Sequence, residues 1–387
     1  MALDKVVDSM ALDGNLKNVA NAIRTKGKTT ASLTFPNGFI SAIQAIHTGT
    51  ELKIVASVTS GAVVTATKGS NTVRGTSVNG GCTLVVPEAG TWSVKATLNG
   101  QTSGTKSVSV VDSYAVALTL SFVSTTLNNN EWSVIKSVSD AGQGANYWSI
   151  GDRKAVTLNG TVGDLSLSNV TTYAFIIGFN HNASVEGANR IHFQLAKTAL
   201  SGGTDVCFCD SKYAPDNRWT SAGAGYFAMN ASDLNSGGWK SSQMRKNICG
   251  TSLSSYSGTI IAVIPAALRA ALKSVTKYTD NAGDGSSTAS TVTATTDYFF
   301  LLSEFEVFGS TSYGNANEKK KQAQYAYYSA GNSKIKYKHD GTSTAATWWL
   351  RSPFAISSIA FVCVSTDGTV SYIAAGCSLG FAPGFCV

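Results

Sequence analysis

The chain has 387 residues, 43% of them hydrophobic and only 14% charged, with 37 glycines and six prolines. That is enough apolar material to build two or three domains with proper cores, and charge lies well below the usual quarter, a profile that suits a β- and loop-rich virion or extracellular protein better than a helical enzyme. The formal charge of +7 is scattered, without the basic stripe that nucleic-acid binding requires; the single cluster, Lys319-Lys320-Lys321, reads as the solvated face of a helix.

Residues 1–49 carry two short helical patterns. Leu16, Val19, Ala20 and Ile23 recur at helical spacing and Gly27 follows as a stop. After the turn "FPNG" at 35–38 come Phe39, Ile40, Ile43 and Ile46. Helices this short do not stand alone, so the segment is expected to pack on another chain, on copies of itself or on the next domain. Met1–Gly14 has no basic stretch followed by an apolar run, and no segment approaches 18 apolar residues. Neither export nor membrane insertion is therefore expected.

Residues 50–122 change character. "LKIVASV", "AVVTAT", "CTLVVP", "TWSVKATLNG" and "GTKSVSVV" are short β-rich runs punctuated by Gly, Asn and Ser, the pattern of a small sandwich. Trp92 is expected in its core, and the stretch is similar to the immunoglobulin-like spacers of surface and tail proteins.

Residues 123–387 form the largest unit, read as α+β. "EWSVIKSVSDAG" predicts a helix with Trp132, Ile135 and Val138 on one face and Gly142 after it. "AVTLNGTV" and "YAFIIGFNHN" predict strands. "IPAALRAALKSVTKYT" reads as a long helix begun at Pro265, with Leu268, Ala271, Leu272 and Val275 on one face. "TTDYFFLLSEFEVFG" reads as an apolar strand region, and "NEKKKQAQYAYYSAG" as a helix stopped by Gly331. The seven cysteines (Cys82, Cys207, Cys209, Cys249, Cys363, Cys377 and Cys386) are odd in number and show neither a disulfide framework nor zinc spacing. They read as buried reduced thiols, in keeping with a protein made in a cytoplasm without export.

Several stretches of this unit carry a resemblance. "EWSVIKSVSDAGQGANYWSIGDRKAVTLNGTVG", "FIIGFNHNASVEGANRIHFQ", "GGWKSSQMRK", "LLSEFEVFG", "GNSKIKYKHDGTSTAATWWLRSP" and "GFAPGFCV" resemble the DUF6273 group of C-type-lectin-like domains of bacteriophages and prophages of gut bacteria. "LTFPNGFISAIQAI" looks like a segment near the start of phage tail-associated proteins. The resemblance implies three parts: a helical attachment and oligomerisation segment at 1–49, an immunoglobulin-like β-sandwich spacer at 50–122, and a C-type-lectin-like receptor-binding domain at 123–387. It implies a tail-fibre or tail-tip protein of the virion that binds a bacterial surface receptor, protein or glycan. Residues 1–49 would join it to other tail or baseplate proteins in a homo-oligomer, with a trimer favoured. A prophage-encoded or cell-surface adhesin without a virion role, or an enzyme of the formylglycine-generating-like fold, are the alternatives.

In such a fold the last segment closes the domain and presents a face. Trp348 and Trp349 point to opposite sides of a strand, placing at least one in the core. Arg351 is expected to pair with a buried carboxylate, Glu304 or Glu306, and Phe385 to return to the core. Alternation puts Ala355, Ser357, Ile359, Phe361, Ser371, Ile373 and Ala375 on the exposed side, with Tyr372 as an aromatic anchor; these eight are the expected ligand-binding residues.

Retroelement diversification, which the resemblance brings with it, replaces adenines in codons such as AAC. Changes at the first two positions of that codon never yield Lys, Glu, Gln, Met or Trp. Residues 354–387 contain none of the five, whereas the preceding 353 contain 47. A buried strand layer also avoids Lys, Glu and Gln, and both readings stand at this point.

No catalytic residue, metal or cofactor is expected. His181 and His192 lack visible partners and read as ordinary loop and strand residues. "DNAGDG" fails the calcium-loop pattern because Thr291 stands where a bidentate Glu is needed. No basic neighbour activates Cys363, Cys377 or Cys386.

Overall fold

The computed structural model describes residues 9–27, 32–34, 39, 51–111, 115–213 and 226–387. The chain is β-rich, with sheets joined by short helices. It divides into two units, 1–123 and 124–387.

In the first unit, Ser9–Gly27 is helical. Ala20 and Ile23, with Leu16, pack with Leu33 and Phe39 in a small apolar cluster. Val19 is exposed, so the apolar stripe is narrower than its spacing predicts. The turn at 35–38 and the stripe at 40–46 lie outside the described residues.

Eight strands follow: β1 (Leu52–Ser57), β2 (Val63–Lys68), β3 (Asn71–Thr76), β4 (Gly81–Val86), β5 (Gly90–Leu98), β6 (Gln101–Thr102), β7 (Lys106–Val110) and β8 (Ala115–Thr119). One sheet runs β4-β1-β8. The other runs β3-β2-β5-β6, with β7 also on β5. Burial alternates strictly along β4 and in the middle of β5, as it must where one face is solvated. Ile54, Val64, Leu84, Trp92, Val94 and Val110 close the shared core. Trp92 is fully buried and donates its indole N–H to Glu88 O at 3.1 Å, which removes the cost of an unpaired donor. The β5–β6 turn takes Asn99 and Gly100 at φ +50° and +81°, a type I′ pair that those two residues adopt with little strain.

The second unit opens with the predicted helix, Trp132–Asp140, burying Trp132, Ile135 and Val138. Trp132 meets Phe193 and Phe385 edge-on, and Phe385 stacks on Phe193 at 5.2 Å. The central sheet contains β9 (Arg153–Val162), β10 (Leu165–Phe179), β11 (Ile191–Lys197), β15 (Phe299–Phe300) and β21 (Gly384–Cys386), in the order β15-β21-β11-β10-β9. β11 is buried on both faces, polar residues included. Around it stand the hairpin β13 (Val275–Asp280) with β14 (Val292–Asp297), the group β12 (Val206–Cys207), β16 (Lys336–Lys338) and β17 (Gly341–Ala346), and the meander β18 (Trp348–Pro353), β19 (Ala360–Val364) and β20 (Val370–Ala374).

Three elements differ from the sequence expectation. The helix begun at Pro265 spans only Ala266–Ala271. Leu272 turns extended, and Val275–Asp280, with β-branched or aromatic side chains at Val275, Thr276, Tyr278 and Thr279, pairs along its whole length with β14; tertiary pairing and β-branching override a helical stripe. The apolar run 295–309 is strand only in its first part, through Phe300. Ser303 then caps a helix, Glu304–Phe308, in a capping box with Glu306, a signal present in the sequence as S-x-x-E. Residues 317–331 form a single 3₁₀ turn, Glu318–Lys320, and a short helix, Ala326–Ser329. Lys319, Lys320 and Lys321 are exposed there.

Candidate binding surface and its buried support

The last segment divides sharply in its exposure. Trp348, Trp349 and Arg351 are fully buried, as is Phe385. Among the eight expected binding residues, Ile359 and Tyr372 are exposed, and Ala355, Ser357 and Ser371 are half-buried. Phe361, Ile373 and Ala375 are core residues, so alternation fails at these three positions. For Phe361 the reason is that β19 is buried on both faces; on β20 the phase is the reverse of the expected one, with Tyr372 outward and Ile373 inward. Phe361 and Ile373 face each other across the β19–β20 ladder, and Ala375, just past β20, is tied to the loop by an N–H donated to Ile359 O at 2.8 Å.

What remains outside is a loop and an aromatic triplet. Phe354 and Tyr372 have ring centroids 4.2 Å apart, and Tyr313 meets both edge-on at 5.5 and 4.9 Å. Ile356, two residues beyond Phe354, is 79% exposed and Ile359 47%. Leu234 is exposed on the segment 233–235, which runs beside this loop. Single exposed apolar residues need no explanation; adjoining ones mark an interaction surface. Sequence reading missed Phe354, Ile356, Tyr313 and Leu234. Only Phe354 and Ile356 carried a signal, as apolar residues just after a proline that ends a strand; the other two depend on long-range packing.

Each part of this surface is held from beneath. Asn235 is fully buried, and its side-chain amide donates to Ser357 O at 2.7 Å and Ala360 O at 2.8 Å. Its backbone N–H reaches Ser358 O at 2.8 Å, and its Oδ1 accepts from Asp284 N at 2.8 Å. One side chain thus fixes the loop that carries Ile356 and Ile359. Tyr313 is set by Glu304, whose carboxylate accepts the N–H groups of Ser312, Tyr313 and Gly314, and by the N–H that Ala355 donates to Tyr313 O at 2.8 Å. Glu304 is therefore committed to backbone donors. Arg351 takes the other expected carboxylate, Glu306, in a two-pronged pair at 2.5 and 2.8 Å.

That pair is the edge of a larger network. Lys277 on β13 donates to Glu306 at 2.9 Å, Glu186 at 2.6 Å and Tyr325 Oη at 2.8 Å. Arg351 also donates to Thr279 Oγ1 and Leu301 O. His192 Nδ1 lies 3.1 Å from Tyr325 Oη and 3.3 Å from Cys386 Sγ. His181 stacks on Tyr325 at 3.8 Å. The two histidines that the sequence left without partners thus sit inside a constellation drawn from β11, β13, β18, β21 and the Glu304–Phe308 helix. No spacing in the sequence could reveal it.

The electrostatics are those of a closed knot. Burial opposes ionisation of Glu306, but Arg351 and Lys277 override it and hold the carboxyl well below its usual range. Burial pushes Glu186 up to about 7, with Lys277 pulling the other way. Burial, then Lys277, lowers His181 to about 3 and takes His192 well below its ordinary value. His181, Glu186 and Glu306 have ligand atoms within 4.8 Å of one another. A divalent cation does not fit there, because the Lys277 ammonium already bridges both carboxylates and the Arg351 guanidinium grips one, so the added charge would face two fixed cations. Nor is Cys386 a primed nucleophile: burial raises its thiol, and a reactive cysteine needs the opposite shift and access.

The neutral histidines make stability pH-dependent. A histidine whose folded pKa lies below its unfolded value binds more protons unfolded, so stability is lost as pH falls below about 6.5. Glu186, shifted upward, acts in the reverse direction between about 4.5 and 7, so the difference between chains isolates one group. Between pH 6.5 and 5.0, wild type is expected to lose up to about 2 kcal/mol more than a His181→Gln variant, read from urea midpoints at the two pH values. Equal losses would show that His181 is not held neutral.

The model of a family described as a domain of unknown function, DUF6273, matches residues 225–387. The matched segment includes β13 to β21 and every residue of the exposed surface. It leaves out His181, Glu186 and His192, and begins about a hundred residues beyond the start of the resemblance read from the sequence. No curated protein matches the chain.

Proposed function

We propose that this chain is a receptor-binding protein of a bacteriophage tail, which attaches to a bacterial surface through the exposed end of its C-terminal unit. In this reading residues 123–387 are a C-type-lectin-like domain, residues 50–122 an immunoglobulin-like spacer, and residues 1–49 the attachment and oligomerisation segment. The observation that carries it is a set of apolar and aromatic side chains, Ile356, Ile359 and Tyr372 exposed and Tyr313 and Phe354 half-buried against Tyr372, on or beside a loop fixed by the buried Asn235. A rigid scaffold presenting an aromatic cluster is the arrangement that binding hot spots use. Several copies on one particle would turn modest contacts into firm attachment. The reading assigns no chemistry to the site, because the titratable groups nearest to it are consumed by the network or by backbone donors. The DUF6273 match supports treating the segment that bears the surface as one family domain, and the phage assignment rests on the resemblance read from the sequence.

The test is binding of the fluorescently labelled full chain to a panel of gut bacterial strains by flow cytometry. Saturable, strain-selective binding is expected. Uniform adherence, or none on any strain, would overturn the reading.

A further inference from the structure

Neither the exposed surface nor the knot of charges around Lys277 uses a second buried pair. Lys197 ends β11, and Asp205 bridges to it across the connection 198–204. Their side chains form an ion pair with 5% and 12% exposure. The Tyr327 hydroxyl touches both partners, accepting from Lys197 Nζ at 2.9 Å and donating to Asp205 Oδ2 at 3.2 Å. Aromatic rings wall the site: Nζ lies 4.6 Å from the centroid of Phe175 and 5.3 Å from that of Tyr327. A second amine, Lys336 on β16, is fully buried over the same Phe175 ring and over Trp348, and its Nζ has no hydrogen-bond partner among the described residues. The Asp205 charge also acts on Lys336, though it pairs only with Lys197.

Holding an amine against a carboxyl group in a dry, walled site does two things. It removes the hydration that stabilises the separated ions, and it replaces a bimolecular encounter by a fixed contact. We propose that Lys197 and Asp205 condense into an intramolecular isopeptide bond. Nζ sheds a proton and its lone pair attacks Asp205 Cγ. The N–C bond forms, the bond from Cγ to Oδ1 breaks, and two of the three ammonium protons leave with Oδ1 as water. Nothing is oxidised or reduced, and no other reactant enters. Tyr327, donating to Oδ2, stabilises the negative charge that develops there in the tetrahedral intermediate. Lys336, brought to about 8 by its burial, can carry a proton near neutrality. The product exchanges a costly buried ion pair for a neutral amide that ties the end of β11 to the start of the next strand.

The experiment is the intact mass of the purified, denatured full chain, followed by tryptic digestion. The mass is expected to fall about 18 Da, one water, below that of the sequence. Trypsin should fail to cut after Lys197, giving the peptide 191–212 lighter by the same amount, with fragments joining Lys197 to Asp205. Asp205→Ala should restore full mass and cleavage. Full mass in wild type, with separate peptides 191–197 and 198–212, would overturn the proposal whether or not the variant folds, as would a deficit that persists in Asp205→Ala.

Discussion

Replacing Arg351 by Ala is expected to destabilise the 124–387 unit by about 3–5 kcal/mol, the range seen when one partner of a buried, hydrogen-bonded ion pair is removed. The cause is what remains. Glu306 would keep its charge with Lys277 alone, and Thr279 Oγ1 and Leu301 O would each lose a donor in a fully buried site. A lysine does not rescue the loss, because a single ammonium cannot reproduce the fork that grips Glu306 while reaching Thr279 and Leu301. The expected readout is a lower urea midpoint with an unchanged slope, followed by tryptophan fluorescence, since Trp239, Trp348 and Trp349 are fully buried in this unit. A loss below about 1 kcal/mol, the scale of an exposed pair, would show that the network contributes little to stability.

The second large effect lies on the surface. The double variant Ile356→Asp, Tyr372→Ala is expected to lower affinity for bound strains at least about 100-fold, since two central hot-spot residues typically cost about 2 kcal/mol each. Its melting temperature should stay near that of wild type, because both side chains are exposed. Val78→Asp, an equally exposed position in the other unit, serves as the control and should bind as wild type does. Unchanged affinity in the double variant would place the binding site elsewhere.

Legibility in the sequence followed the range of the forces involved. The Trp132–Asp140 helix was readable because its apolar residues repeat within three turns. The sandwich strands were readable because each has one solvated face and alternates. Prediction failed where both faces are covered, since Phe361 alternates in sequence with residues that are equally buried, and where the phase was taken the wrong way, since Ile373 points inward between exposed Tyr372 and half-buried Ala374. It failed again where β-branched residues follow a helical start, at Val275–Asp280. The Arg351–Glu306 pair could be narrowed to two carboxylates, while the S-x-x-E capping box that sets Glu306 on a helix turn was passed over in favour of a strand. The His181, His192 and Lys277 constellation was invisible, since Lys277, Glu306, Tyr325 and Arg351 come from distant parts of the chain and meet the two histidines only in the folded unit. The absence of Lys, Glu, Gln, Met and Trp from residues 354–387 now has a structural component: residues 375–387 are all buried, and burial alone disfavours three of those five residue types. Any signature of diversification must therefore be sought in the exposed and half-buried positions of 354–359 and 365–374.

The central claim is that this loop and aromatic triplet are what touch the host. Hydroxyl-radical footprinting of the full chain, with and without envelopes of a strain it binds, tests that claim most directly. Protection concentrated on Tyr313, Phe354, Ile356, Ile359 and Tyr372 is the predicted result. Protection confined to other surfaces, with these five side chains oxidised as readily in the bound as in the unbound chain, would contradict it.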